Sequence, residues 1–329
     1  MKYYFIVNPG SRTGKGKELW DEMQRRLDRS GREFEVIFTH GKDDARRAVA
    51  SVCARDPEMK RIVVAGGDGT LNEAVNGIPA GAKVMLGVIP TGSSNDFARG
   101  LGISQDPLKA FERVLCPRYF EKIDVGLTRV PEADGLSAES VPGAGESVPS
   151  GEDIGSGVRF AVSSSIGYDA QICHKALVSR LKKFLNRIGK GRLVYYITGI
   201  FLIFRCPHTK AEIIIDGKRK LSYKKLIFAS AMNTKYEGGG MPMGPAADPS
   251  DGKLTMCIVH DISRIKHLLY MPSVINANHV NKRGVEQITC RTCEIRTARP
   301  LCVHTDGEPA GIRDHVMFSC MSEKLRIMR

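Results

Sequence analysis

A parallel α/β domain followed by a mainly antiparallel β domain is the fold class this sequence predicts, and three observations predict it. Over about residues 1–125, short apolar runs alternate with helical patterns, the texture of a parallel sheet with helices packed on it. From Arg159 onward the apolar runs are rich in β-branched residues and follow one another with turn signals between them. Between the two, residues 131–157 are Pro-, Gly-, Ser- and Glu-rich with scattered apolar residues, the composition of an exposed, disordered insertion. At 329 residues the chain is long enough for two cores. Domains are therefore expected over 1–125 and 126–311, with the last residues, about 312–329, open to packing back on the first.

Taken in order, Tyr3–Val7 reads as a short buried strand, and Asn8-Pro9-Gly10-Ser11-Arg12-Thr13-Gly14-Lys15-Gly16 as a loop. A helix follows with Leu19, Trp20, Met23 and Leu27 on one stripe. Phe34–Thr39 is a strand, and Asp43–Arg55 a helix with Ala45, Ala48, Val49 and Val52 inward. The apolar run Ile62-Val63-Val64 leads into Ala65-Gly66-Gly67-Asp68-Gly69-Thr70, and a helix begins at Leu71. Val84–Ile89 ends in a third polar loop, Pro90–Phe97, and a helix with Phe111, Val114 and Leu115 leads to Ile123-Asp124-Val125-Gly126. All three polar glycine loops follow strands, so all three can line one crevice at the carboxyl ends of a parallel sheet. Glycines at a helix N-terminus let a phosphate approach bare N–H groups, and the helix dipole favours its charge. Asp68 beside such an anion is repulsive unless Mg²⁺, a proton in transit or a ribose hydroxyl lies between. Neither loop spacing matches a Walker A loop or G-x-G-x-x-G, which counts against P-loop and dehydrogenase readings.

In the second half, Phe160–Ile166, Ala211–Ile215, Lys225–Ala231, Leu254–Val259, Ile288–Ile295 and Leu301–His304 read as strands. Val178–Arg192 is basic, and Leu193–Phe204 is an apolar run too short to span a bilayer. The pair fits a helix resting on an anionic membrane surface and, equally, a solvated helix leading to a buried one. Formal charge is +13; residues 131–157 hold six acids and no base, so the rest of the chain carries +19. That surface attracts something anionic. A nucleic-acid binder would leave the glycine loops idle, and no aromatic–basic interleaving supports it. Nine scattered cysteines and no signal-peptide pattern lead to the expectation of a reduced, cytoplasmic protein. Cys290 and Cys293 form a lone C-x-x-C without a second pair, a weak metal signal, and the histidines have no metal spacing.

Together these stretches resemble the diacylglycerol kinase-like lipid kinase family, whose bacterial members are similar to sphingosine and ceramide kinases. The motifs are Asn8-Pro9 with Gly14, Gly66–Asn72, Pro90–Phe97, Ile123–Gly126, Ser165–Asp169, Gly238–Pro245 with Asp251-Gly252, and Thr305-Asp306-Gly307-Glu308-Pro309. The resemblance implies a nucleotide-binding α/β domain joined to a β-sandwich, and transfer of the γ-phosphoryl of ATP to a lipid hydroxyl with Mg²⁺. It implies ATP contacts at Asn8, Pro9, Gly10, Ser11, Gly14 and Thr39, at Gly66, Gly67, Asp68, Gly69, Thr70, Leu71 and Asn72, and at Thr91, Gly92 and Ser93. Glu308 matches the proton acceptor, with Asp306 as rival or partner, and Asp68 is expected to help with the metal. Asp248, Asp251 and Lys253 match a structural Mg²⁺ site; Asp124 reads as a water bridge to it or as a strand-end cap. The implied enzyme works at the inner face of an anionic membrane on diacylglycerol or a similar lipid alcohol, giving phosphatidate; a homodimer is left open. Two alternatives remain. NAD kinase has a similar Gly-Gly-Asp-Gly loop, but the Asn8-Pro9 and Pro90–Phe97 blocks favour the lipid branch. A non-catalytic sensor would be marked by loss of Asp68, Asp306 or Glu308, and all three are present.

Overall fold

The computed structural model describes residues 2–11, 16–55, 58–131, 157–178 and 193–329. The acidic insertion, Gly14 and the basic run before Leu193 lie outside the described residues.

The first part of the chain runs β1 (Tyr3–Val7), α1 (Gly16–Asp28), β2 (Phe34–Phe38), α2 (Asp44–Ala54), β3 (Lys60–Gly66), α3 (Asp68–Asn76), β4 (Val84–Pro90), α4 (Asp96–Gly100), α5 (Pro107–Leu115) and β5 (Phe120–Ile123). The second runs β6 (Gly126–Arg129), β7 (Val158–Phe160), β8 (Ser163–Gly167), α6 (Tyr168–Val178), α7 (Leu193–Ile203), β9 (Thr209–Ile215), β10 (Arg219–Met232), β11 (Leu254–His260) and α8 (Arg264–Ile275). A 3₁₀ turn (Asn278–Asn281), β12 (Val285–Cys290), β13 (Thr292–Thr305), β14 (Glu308–Cys320) and β15 (Leu325–Met328) complete it.

Residue alternation in β1 sets the two faces of the first sheet. Tyr3, Phe5 and Val7 meet Trp20, Met23 and Leu27 of α1 and Phe111 of α5. Tyr4 and Ile6 meet Val49 and Val52 of α2 and Leu71 and Val75 of α3. The sheet order is β2-β1-β3-β4-β15-β5, parallel except for β5. The chain's last strand thus returns to the first sheet beside β4.

The second sheet is antiparallel, ordered β12-β11-β10-β8-β13-β14-β6-β7. β9 also pairs with both β10 and β13, at the other ends of those two long strands from β8. One face encloses an apolar core that includes Phe160, Ile213, Met256, Ile295 and Phe318. The other is covered by α6, α7 and α8.

Two runs expected as single strands are each broken in two. Phe160–Ile166 is interrupted at Ala161-Val162, where the backbone N–H groups turn aside to the Asp306 carboxylate. Ile288–Ile295 is interrupted at Arg291, where the Arg291 and Thr292 N–H groups both donate to Asp216 Oδ1 at 2.8 Å. In each case a side-chain acceptor has taken ladder donors. Cys290 and Cys293 straddle the second corner, both buried, and burial pushes the Cys290 thiol up to about 12. A thiol in that state is a small apolar residue rather than a metal ligand.

Candidate active site

The carboxyl ends of β1, β3 and β4 bring three polar loops together. Asn8 holds the first two: its N–H donates to Ala65 O at 2.9 Å and its side-chain amide to Thr70 Oγ1 at 3.1 Å. Its own Oδ1 accepts from Gly10 N, which curls the first loop. Thr39 closes this edge, with its N–H on Val7 O at 2.9 Å. The second and third loops touch backbone to backbone. A Cβ built on Gly92 would stand 2.5 Å from the Gly67 Cα, so neither chain can carry a side chain there. Asn95 Oδ1 accepts from Gly92 N at 2.8 Å and fixes the third loop. The Ser11 and Thr91 hydroxyls are buried beside one gap and have no hydrogen-bond partner among the described residues. That gap is also lined by Gly16, Leu19, Trp20 and Met23 of α1, behind the first loop. The glycine backbone at the start of α3 suits an oxygen-rich anion such as a phosphate.

Three carboxyl groups stand at this crevice, Asp96 and Asp306 buried and Asp68 half-buried. Asp68 opens α3, and its two oxygens accept from Asp96 N and Phe97 N at 3.1 and 3.2 Å, capping α4. Burial, then the charges of Asp96 and Asp306, push its carboxyl up to about 7. Asp96 accepts from Gly239 N at 2.7 Å, which ties the glycine run of the second domain to α4. Asp306 accepts four hydrogen bonds, from Ala161 N and Val162 N at 2.8 Å, Asn72 Nδ2 at 2.9 Å and Ser163 N at 3.0 Å. Burial pushes its carboxyl up, and those donors oppose the rise. Asp306 therefore works as a clamp between the domains, at a backbone φ of 50° that the β13–β14 turn requires.

Glu308 is different. Its side chain is exposed in the crevice, and a Cβ on Gly69 would lie 3.0 Å from its Oε1. A carboxylate thus stands over the first turn of α3, at the mouth of the anion site.

Behind that turn lies a group the sequence reading passes over. His304 is wholly buried, its Nε2 lies 2.9 Å from Glu237 Oε1 and 3.3 Å from Asp169 Oδ2, and its Nδ1 accepts from Gly307 N at 3.1 Å. Burial lowers the imidazole's proton affinity, but the two carboxyl groups outweigh it and push His304 up to about 10. The Gly307 N–H is directed at Nδ1, so Nε2 is the ring nitrogen that faces the two carboxyl groups. Burial and the Asp169 charge push the Glu237 carboxyl up. Serine hydroxyls 163, 165 and 230 complete the shell. These hydrogen bonds anchor the residue just before Glu308.

Asp169 also borders an apolar cleft, lined by Tyr168, Phe228, Met241, Met271 and Val274 among others. Its lining suits an apolar ligand.

Several expected site residues sit elsewhere. The Leu71 side chain packs in the first core, and its N–H donates to Gly67 O. The Asn72 amide faces Asp306 and Arg159 O, across the domain boundary. The turn holding Asp248, Asp251 and Lys253 closes on itself: Asp248 Oδ1 accepts from Ser250 N and Oγ, and Asp251 Oδ1 accepts from Lys253 N at 2.9 Å. The Pro249 and Ser250 carbonyls accept from Asp124 N and Lys324 Nζ. Lys324 Nζ also lies 2.8 Å from Asp124 Oδ1, and Gly252 N donates to Asp124 Oδ2. An ammonium is thus the cation beside Asp124, while Asp248 and Asp251 each have one carboxylate oxygen engaged within the turn. By contrast, the hard oxygen donors of Asp68 and Asp96 suit Mg²⁺ at the crevice, where added positive charge relieves their repulsion.

Comparison with known proteins agrees with this architecture. Residues 2–128 match the family described as diacylglycerol kinase catalytic domain, and residues 162–329 the family described as YegS C-terminal NAD kinase beta sandwich-like domain. The chain is similar to a diacylglycerol kinase of Bacillus subtilis strain 168, 26% identical over 93% of this chain and 89% of that one. It is likewise 26% identical to a diacylglycerol kinase of Mycobacterium tuberculosis strain H37Rv, over 92% of this chain and 87% of the other. A crystal structure of a diacylglycerol kinase from Bacillus anthracis strain Sterne superposes with a TM-score of 0.66 at 17% identity, covering 99% of this chain and 96% of that chain.

Proposed function

The chain belongs to the family of bacterial diacylglycerol kinases and YegS-like lipid kinases, and from that premise we propose that it transfers the γ-phosphoryl group of ATP to the hydroxyl of diacylglycerol or a similar lipid alcohol, giving phosphatidate. The observation that carries this reading is Glu308 over the first turn of α3, next to glycine loops that suit phosphate and in one domain with an apolar cleft. Phosphoryl transfer asks the protein mainly for positioning, charge stabilisation and a group to receive the hydroxyl proton. The N–H groups of the second and third loops stabilise phosphate charge. Asn8 and Gly92 hold those loops at the required closeness. Glu308 receives the proton of the acceptor hydroxyl, while Asp306 and the His304 group fix the turn that carries it. Mg²⁺, held by Asp68 together with phosphate oxygens, would neutralise the developing charge. The enzyme acts at an anionic membrane, where its substrate resides, and none of the described helices is long and apolar enough to cross one.

Incubating the protein with γ-labelled ATP, Mg²⁺ and extracted mixed lipids tests the reading, with NAD offered in parallel. Label in phosphatidate is expected. Label in NADP, or none in any lipid, would overturn it.

A further inference from the structure

Two helices of the second domain carry an apolar face that the described protein does not cover. α7 and α8 lie on the same side of the large sheet, where Leu202, Ile203, Leu268, Met271 and Val274 join the core beneath. Arg264 at the start of α8 donates to the Ile203 and Cys206 carbonyls at the end of α7, at 2.8 and 3.2 Å, so the helices are strapped together. Outward, Ile197, Ile200 and Phe201 recur along one stripe of α7, continued by Phe204 just past its end, at 47–55% exposure. Ile265 and Leu269, one turn apart on α8, and Ile275 at its end are 57–69% exposed. Single exposed apolar residues are ordinary, but seven of the ten large ones that the described residues expose fall on this pair.

Charge and continuity select the occupant. Neither helix contains an acid, and the exposed bases Arg205, Lys266, Lys282 and Arg283 border them. Arg205 stacks over the Phe201 ring at 4.0 Å and Lys282 over Tyr270 at 6.0 Å, cations at the margin of apolar surface. An apolar face with a basic rim matches the boundary between acyl chains and anionic headgroups. α8 also lines the apolar cleft with its inward residues Tyr270, Met271 and Val274, so the bare face and the cleft share one helix.

We propose that the α7–α8 face docks on an anionic lipid bilayer, seating Phe201, Phe204, Ile265 and Leu269 among the acyl chains. The proposal deepens the lipid-kinase reading and rests on it for choosing a bilayer over a second protein.

Co-sedimentation with phosphatidylcholine vesicles containing phosphatidylglycerol tests it, using wild type, Phe201→Glu/Phe204→Glu, Ile265→Glu/Leu269→Glu, and Phe120→Glu as an exposed apolar control on the other domain. Wild type and control should bind, less in high salt, and both double variants should bind roughly tenfold or more weakly. Phosphorylation of a short-chain diacylglycerol below its aggregation limit should stay within about twofold in all four, because the changed side chains point away from the core. Equal vesicle binding by every variant would overturn the proposal. So would a wild-type dimer in sedimentation velocity that the double variants dissociate while no vesicle binding occurs. Vesicle binding without phosphorylation of any lipid alcohol would instead strike the functional reading and leave the surface standing.

Discussion

Asp68 lies where the phosphate loops, α4 and the Glu308 turn meet, and its carboxyl titrates near 7 because it is buried beside Asp96 and Asp306. A carboxyl that holds its proton more tightly folded than unfolded contributes stability below the unfolded value of 3.8, and that contribution disappears as pH rises to about 7. Above pH 7 the ionised group works against the fold. Asp68→Asn is therefore expected to raise the thermal midpoint relative to wild type at pH 8 and not at pH 4, while phosphoryl transfer falls by about a hundredfold or more. A lower midpoint at pH 8 would mean that the Asp96 and Phe97 N–H groups stabilise the ionised form more than burial opposes it. Residues of this kind are legible in sequence when glycines frame them, as with Gly66-Gly67-Asp68-Gly69. Asn72 belongs to the same block yet turns its amide to Asp306, 234 residues away, since a motif gives position and not side-chain direction. His304, Asp169 and Glu237 were invisible for a related reason: 135 residues separate the first two, and only the antiparallel pairing of β8 with β13 brings them together.

At the scale of elements, periodicity located the strands and side-chain acceptors cut them. The interruptions at Ala161-Val162 and at Arg291 come from Asp306 and Asp216, neither of which is near in sequence to the strand it breaks. The turn at Asp248–Lys253 makes the same point about metals. The family resemblance implies an ion there, and Lys324, just before β15, holds the neighbouring Asp124 and the Ser250 carbonyl. Without nucleotide, any shift of the thermal midpoint by Mg²⁺ should be the same within about 1 °C in wild type and Asp251→Asn, because no metal is needed to compensate Asp124. Lys324→Met leaves that wholly buried carboxylate without its cation and should destabilise by about 2–3 kcal/mol, with the lysine's partial exposure already discounted. Added Mg²⁺ should restore part of the loss. Saturable stabilisation of the wild type by Mg²⁺, abolished in Asp251→Asn, would instead place a metal in the turn.

Over the whole molecule, the chain passes between its sheets near Asp124 and again near Lys324, and the crevice is closed by contacts across that boundary. Asn72 to Asp306, Asn76 to Arg159 and Asp96 to Gly239 all join α3 or α4 to the second domain. Domain class was readable because each half has its own periodicity, whereas the register between the halves depends on these few polar pairs. They divide labour in the Thr305–Glu308 turn: Asp306 is spent on structure, which leaves Glu308 as the carboxylate proposed to receive the proton. The direct test is transfer from γ-labelled ATP to diacylglycerol by Glu308→Gln and Asp306→Asn, with thermal midpoints measured alongside. Glu308→Gln is predicted to lose about 10²- to 10⁴-fold in kcat with its midpoint unchanged, and Asp306→Asn to lose stability as well as activity. Near-normal turnover by Glu308→Gln, with Asp306→Asn inactive yet as stable as wild type, would contradict the account and make Asp306 the proton acceptor.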